Sequence, residues 1–127
     1  MQGLNTTPLH GHAALFGVYG MLGIGLMLVC LRVLVPDAEW KEGLLKFSFW
    51  SMNIGLLAMC VGSLLPVGLF QTWAAVEKGY WYARSAEFLT TPWMQALRWM
   101  RVPGDVLFAL GAALLGALVV VRRLSRS

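Results

Sequence analysis

Two histidines, His10 and His12, are the residues of this chain whose type and spacing could do chemistry. They are the only two histidines among 127 residues, and they stand one residue apart at the start of a long uncharged run. Two positions of an α-helix span about 200° of rotation, so the imidazoles leave on opposite faces and cannot converge on one metal ion. The spacing therefore predicts two separate sites served by one helix.

The spacing alone leaves two interpretations of this pair open. In the first, each neutral imidazole ligates its own iron, as it would if two haems flanked one helix that Gly11 keeps slim. In the second, both histidines are hydrated or hydrogen-bonding residues at a membrane interface. A single chelated zinc ion is disfavoured, because it needs histidines at i, i+4 and further Cys, His or acidic ligands close by.

The composition places the helix that carries the histidines in a membrane. The chain is 58% hydrophobic and only 13% charged, against about 25% charged residues in a typical soluble domain. The net charge of +4 includes no dense basic run, so nucleic acid is not an expected partner. The N-terminus lacks the positive region of a cleaved signal peptide. No Ser-His-Asp set, phosphate-binding glycine loop or carboxylate dyad indicates another enzyme class.

Three uncharged blocks predict a single all-α membrane domain over residues 1–127, with spans at about 8–33, 47–76 and 103–121. The first span begins with Thr7 as N-cap and Pro8 as first helical residue, and Pro36 ends it. The second is longer than a straight span requires and contains Pro66, which predicts a tilted or kinked helix. The third begins at Pro103.

The connections between the spans have the composition of a membrane interface. Residues 36–46 are charged and include Trp40, an expected interfacial anchor. Residues 77–101 are rich in Trp, Tyr and Arg, and a short amphipathic helix is predicted from Pro92 to about Arg101 with Thr91 as its cap. Asp105 is expected to complement the helix dipole in the first turn of the third span.

Small and polar residues within the spans predict where helices approach one another. Glycines 17, 20, 23 and 25 and the stretch GAALLGA allow a neighbouring helix or a flat ligand to come close to the backbone. Polar residues in the second span are expected to hydrogen-bond to other helices or to a cofactor; they are Asn53, Ser63 and Gln71. Cys30 and Cys60 lack metal or redox spacing and are expected to be small buried hydrophobes.

The distribution of basic residues gives an expected orientation. Three spans place the first connection and the C-terminal tail on one side of the membrane, with six basic residues against four on the other. The six are Arg32, Lys41, Lys46, Arg122, Arg123 and Arg126, and the four are Lys78, Arg84, Arg98 and Arg101. Positive-inside counting predicts a cytoplasmic C-terminus and puts the histidines near the outer side.

The run LHGHAALFGVYGMLGIGLM resembles the tenth transmembrane helix of the catalytic subunit of nitric oxide reductases, a branch of the haem–copper oxidase superfamily. The later stretches GYWYARS and RVPGDVLFALGA resemble the end of the same subunits, particularly the quinol-oxidising single-chain type. Oxidases of the superfamily have a bulkier residue between the two histidines, so Gly11 favours the nitric oxide reductase branch. The resemblance covers essentially the whole chain and implies the last three core helices of a twelve-helix all-α bundle.

The resemblance implies a role for each histidine. His10 matches the axial ligand of the high-spin haem b3, and His12 matches an axial ligand of the low-spin haem b. In the family, electrons pass from haem b to haem b3, where two NO molecules are reduced to nitrous oxide and water. The family also holds a non-haem iron through three histidines and a glutamate. Those ligands and the second axial histidine of haem b have no counterpart in this chain.

The resemblance also implies the partners and the location. The partners are the remaining transmembrane helices of the same subunit, the lipid membrane, and a quinol or cytochrome c as electron donor, with the tail favouring quinol. The location is a bacterial inner membrane. The chain is then the C-terminal part of a nitric oxide reductase and is inactive alone. The alternative is a free-standing three-span membrane protein with a structural role, or one that binds a single haem between monomers through His12.

Overall fold

The chain folds into three long helices and a short helical connection. The computed structural model describes residues 3–34 and 40–124. In chain order the helices are α1 (Thr6–Leu34), α2 (Glu42–Lys78), the short α3 (Ala86–Leu89), α4 (Pro92–Trp99) and α5 (Arg101–Leu124). No strand occurs in those two described stretches.

Three helical segments are long and apolar enough to cross a membrane. They are Thr6–Leu34, Glu42–Lys78 and Pro92–Val120, with mean hydropathies of 2.2, 1.9 and 2.0 over their most apolar windows. A helix satisfies its backbone polar groups internally, which is what the water-free interior of a bilayer requires. The all-α integral membrane fold predicted from the sequence is confirmed.

The helix starts differ from those predicted. The helix α1 begins at Thr6, with Asn5 as its N-cap residue, and no side chain caps it. The side-chain amide of Asn5 instead donates to the Oε1 atom of Gln71 at 3.0 Å. The predicted end of this helix at Pro36 lies outside the described residues. The helix α2 begins at Glu42, before the uncharged block, and this carboxylate pairs with Lys46 one turn later at 3.8 Å.

Two of the long helices contain π-helical segments. In α2 the segment Cys60–Leu64 ends two residues before Pro66, and the helix stays continuous through the proline. Proline has no N–H, and its ring crowds the carbonyl four residues earlier in a regular α-helix, so a wider turn relieves the clash. A π segment thus accompanies Pro66, in the helix that the sequence predicted to be tilted or kinked. The second segment, His12–Gly20 in α1, begins at one of the two histidines.

The helices α2 and α5 pack along a seam of small residues. Buried positions recur at intervals of four and three residues on α2 and of seven and four residues on α5, a spacing typical of close antiparallel packing. They are Ser48, Met52, Gly55 and Met59 on α2, and Gly104, Gly111 and Leu115 on α5. A Cβ atom on Gly55 would lie 2.6 Å from the backbone nitrogen of Phe108, and one on Gly104 would lie 2.8 Å from the Gly55 carbonyl oxygen. The two backbones are therefore in direct contact.

The helix α1 is packed loosely against this pair. None of the most apolar part of α1 is buried, and a Cβ atom on Gly23 or Gly25 would meet nothing within 4 Å. The neighbour expected from these glycines is absent within residues 3–34 and 40–124. Cys30 is also exposed, so its predicted burial is wrong, whereas Cys60 on α2 is buried as predicted. An apolar gap of about 230 Å³ separates the middle of α1 from α2 and α5.

A small apolar core closes the bundle at the end where the histidines lie. It joins the N-terminal segment to α2 and to the connection before α5, and its buried members are Leu4, Val67, Ala74, Ala83, Phe88 and Met94. Gly79 ends α2 with a φ of 92°, which allows the chain to turn back over this core. The helix α4 contributes Met94 to the core, while its residues Trp93 and Trp99 are exposed, as expected at an interface. Thr91 stands at its N-cap position but bonds to the Phe88 carbonyl instead.

Candidate functional site

The imidazole of His12 is held by hydrogen bonds on both of its nitrogens. Its Nδ1 atom lies 2.7 Å from the carbonyl oxygen of Pro8, one turn earlier on the same helix. Its Nε2 atom lies 3.1 Å from the Nη2 atom of Arg101. A carbonyl can only accept and a guanidinium can only donate, so Nδ1 carries the hydrogen and Nε2 presents its lone pair. The two neighbours thus fix one tautomer of His12.

Arg101 reaches His12 from the first turn of α5, 89 residues away in sequence. Its Nε atom also pairs with the carboxylate of Asp105 one turn later, at 3.0 Å to Oδ2 and 3.2 Å to Oδ1. Asp105 lies beyond the first turn of α5, which contains no acidic residue, so its predicted role at the helix start is wrong. It orients the arginine that binds the histidine.

Aromatic rings form the rest of the contact around the His12 imidazole. The ring of Phe16, one turn later on α1, lies 5.6 Å from it between centroids. Phe16 in turn packs edge-on against Phe108 of α5, also at 5.6 Å. These contacts and the Arg101 bond join α1 to α5 at this level, and His12 itself is half-buried.

His10 lies in different surroundings from His12. It is exposed, and its side chain makes no hydrogen bond within residues 3–34 and 40–124. A Cβ atom on Gly11, between the histidines, would meet nothing within 4 Å, so the backbone here is open to an approaching group. The structure does not bring the two histidines together. In the described part of the chain, no group of three or more His, Cys, Asp or Glu side chains could hold a metal ion.

A polar cavity of about 500 Å³ adjoins the site. Arg98, Arg101, Asn5, Ser63 and Gln95 supply its polar lining. Arg101 thus both lines the cavity and contacts the Nε2 atom of His12. In the sequence, Arg98 and Arg101 are recognisable only as charges at the interface, and no local pattern indicates that one of them contacts a histidine.

Buried Gln71 connects the histidine end of α1 to the rest of the bundle. Its Oε1 atom accepts from the Asn5 backbone N–H at 2.7 Å and from the Asn5 side chain, and its Nε2 atom donates to the Ala83 carbonyl at 3.2 Å. The prediction that Gln71 bonds to other elements is confirmed. Asn53 bonds only within its own helix, to the Phe49 carbonyl. We refer to Gln71, Asn5 and Ala83 as the glutamine clasp.

Residues 1–107 match the family described as Cytochrome C and Quinol oxidase polypeptide I. The chain belongs to this family. A comparison with curated proteins gave no significant match. The family consists of integral membrane proteins of the haem–copper oxidase superfamily, in agreement with the three apolar helices, and its members generally bind haem.

The side chains around the histidines can be compared with what a haem of this family requires. An axial imidazole offers one nitrogen to iron, and its other N–H is usually fixed by a carbonyl or a carboxylate. His12 meets the second condition through Pro8, and His10 has open surroundings. The nitrogen of His12 that iron needs is bonded to Arg101. Both histidines could therefore serve as axial ligands of a haem, and His12 could do so once Arg101 has moved away.

Proposed function

We propose that this chain supplies the haem-ligating C-terminal helices of a nitric oxide reductase catalytic subunit. His10 is the axial ligand of the high-spin haem b3, and His12 is an axial ligand of the low-spin haem b. The observation that carries the proposal is the His-Gly-His arrangement on α1, in which the Pro8 carbonyl fixes the tautomer whose lone pair is on Nε2 of His12. The family match over residues 1–107 supports it.

The nitric oxide reductase branch is favoured by the residue between the histidines. Gly11 has no neighbour within 4 Å of a Cβ position, and the oxidases of the superfamily resemble this stretch less because they carry a bulkier residue there. The stretches GYWYARS and RVPGDVLFALGA add to the resemblance. A bound haem b would supply one-electron transfer, and haem b3 with a non-haem iron would supply the reduction of NO to nitrous oxide.

The proposed partners follow from the iron ligands that these two histidines do not supply. A bis-imidazole haem needs a second histidine, and the chain has no histidine besides these two. The remaining helices of the same subunit supply that ligand and those of the non-haem iron, and they pack on the uncovered face of α1. The electron donor is a quinol or cytochrome c, with the resemblance of the tail favouring quinol. The location is a bacterial inner membrane with the C-terminus cytoplasmic.

Co-expression with the preceding helices of a nitric oxide reductase subunit tests this proposal. Haem content by pyridine haemochrome, the optical spectrum and nitrous oxide production would be measured for the complex. We expect His12→Ala to remove the low-spin bis-imidazole bands and His10→Ala to remove the high-spin haem. The control is Cys30→Ala, an exposed substitution on the same helix. Unchanged spectra in both histidine variants would contradict the proposed roles.

The alternative is a free-standing membrane protein that binds at most one haem through His12. It is favoured by the internal contacts of the histidine end, where Arg101 and the glutamine clasp tie α1 to α2, α5 and the connection. The chain expressed alone in lipid with added haem distinguishes the two. A stable Soret band that depends on His12 supports the alternative, and its absence supports dependence on further helices.

A further inference from the structure

Iron and Arg101 require the same lone pair of His12. Because Nδ1 donates to Pro8, Nε2 has one lone pair in the plane of the ring, and that pair accepts from Arg101. The guanidinium keeps its charge at any physiological pH, so the bond is charge-assisted. A nitrogen that accepts a hydrogen bond along its lone pair cannot bind a metal at the same time.

We infer, on the basis of the proposed function, that Arg101 reversibly blocks the ligand nitrogen of His12, and we call it the plug. The guanidinium must move away before haem iron binds at that nitrogen. Until then the arginine holds the ring in the tautomer and orientation that ligation requires. Arg101 is therefore a positioning residue for the unloaded chain and a competitor of iron.

The surroundings of Arg101 allow it to leave. Its Nε atom remains paired with Asp105, which lies on the same helix and moves with it. Its side chain is 37% exposed and borders the 500 Å³ polar cavity, so the displaced guanidinium can be solvated there. A charge with a second partner and access to a polar space can be displaced without becoming a buried unpaired ion. Arg98 lines the same cavity and has no bond to His12, so it provides a matched control.

Carbethoxylation of the histidines tests the plug without haem. Diethyl pyrocarbonate acylates an imidazole nitrogen that has a free lone pair, and tandem mass spectrometry separates His10 from His12 in one peptide. We expect His12 to react much more slowly than exposed His10 in the unaltered chain. Arg101→Ala brings the rate at His12 close to that at His10, and Arg98→Ala leaves it slow. Equal rates at His12 with and without Arg101 would overturn the inference.

Haem titration in lipid measures the competition directly in the complex that the chain forms with the preceding helices of the subunit. We expect Arg101→Ala to raise the affinity of this complex for haem about tenfold, equivalent to ~1.4 kcal/mol, since the plug no longer has to be displaced. Arg101→Lys, which retains a donor, restores part of the difference. In a His12→Ala background the same substitution at Arg101 has no effect. A gain that persists without His12 would refute the competition.

The two experiments keep failure of the inference separate from failure of the proposed function. If no variant of the complex gives a Soret band, the proposed haem ligation is refuted, and the carbethoxylation rates still decide whether Arg101 covers His12. If haem binds with equal affinity in the unaltered chain and in Arg101→Ala, the plug is refuted while the ligand roles of the histidines stand.

Discussion

Glycine is frequent both in α1 and at the seam between α2 and α5, yet the two regions pack in opposite ways. At the seam, a Cβ atom on Gly55, Gly104 or Gly111 would lie less than 3 Å from the facing helix. On α1, Gly23 and Gly25 face open space. Small residues therefore permit close packing without producing it, and the facing helix must also present a groove where backbone can approach.

The attachments of α1 are concentrated at its histidine end, where hydrogen bonds and the contact between the Phe16 and Phe108 rings hold it. The glutamine clasp and the Arg101 bond hold that end, whereas the middle of the helix lies across an apolar gap from α2 and α5. By contrast, α2 and α5 are joined along their length by apolar contact. The helix that carries the candidate ligands is thus the one that remains open to a haem or to further helices, as the proposed function requires.

The largest expected effect comes from placing a methyl group in the seam. Gly55→Ala forces the two backbones apart, because the new Cβ atom would lie 2.6 Å from the Phe108 nitrogen. We expect a loss of about 3 kcal/mol in unfolding free energy, measured by thermal unfolding in detergent. The matched Gly23→Ala on α1 has no clash and gains up to about 1 kcal/mol of helix propensity. Equal destabilisation by both would remove the contrast between the two regions.

The next effect comes from opening the glutamine clasp. Gln71→Leu leaves the Asn5 N–H and the Ala83 carbonyl without their partner in a buried setting, at a cost of about 2 kcal/mol. We expect faster amide exchange at residues 5–9, while amides along the α2–α5 seam keep their protection. Gln95→Leu serves as control, since this exposed glutamine makes only a 3.4 Å bond. Loss of protection along the whole of α5 would show that α1 and the seam unfold together.

The smallest effect concerns the hydrogen bond across the seam. The hydroxyl of Ser51 donates to the Leu107 carbonyl at 2.8 Å, and interhelical bonds of this kind in membranes average about 0.6 kcal/mol. Ser51→Ala should therefore lower stability by that order in the same unfolding measurement. Asn53→Ala removes a bond within α2 only and should lower the free energy of unfolding less. A loss from Ser51→Ala as large as that from Gly55→Ala would indicate that the polar bond, rather than glycine contact, holds the seam.

Several features were predictable because they depend on neighbouring residues alone. The uncharged blocks predicted the three helices, since hydropathy and the rise per residue are local quantities. Pro66 predicted a tilted or kinked helix, and the sequence did not indicate the π-helical segment that lies before it. The burial of Cys30 and the position of Asp105 in its helix were predicted wrongly, because both depend on where a helix begins and on what covers it.

The sequence by itself determined that His10 and His12 face different surroundings, because two residues of a helix turn by more than half a circle. It also determined membrane insertion, through composition. Only the tertiary structure decided which group bonds to Nε2 of His12, which glycines are covered, and how Gln71 connects α1 to the bundle. The bond to His12 joins residues 89 positions apart, and the bond from Asn5 to Gln71 joins residues 66 positions apart. Such contacts depend on packing between helices that are distant in sequence, and no local pattern encodes that packing.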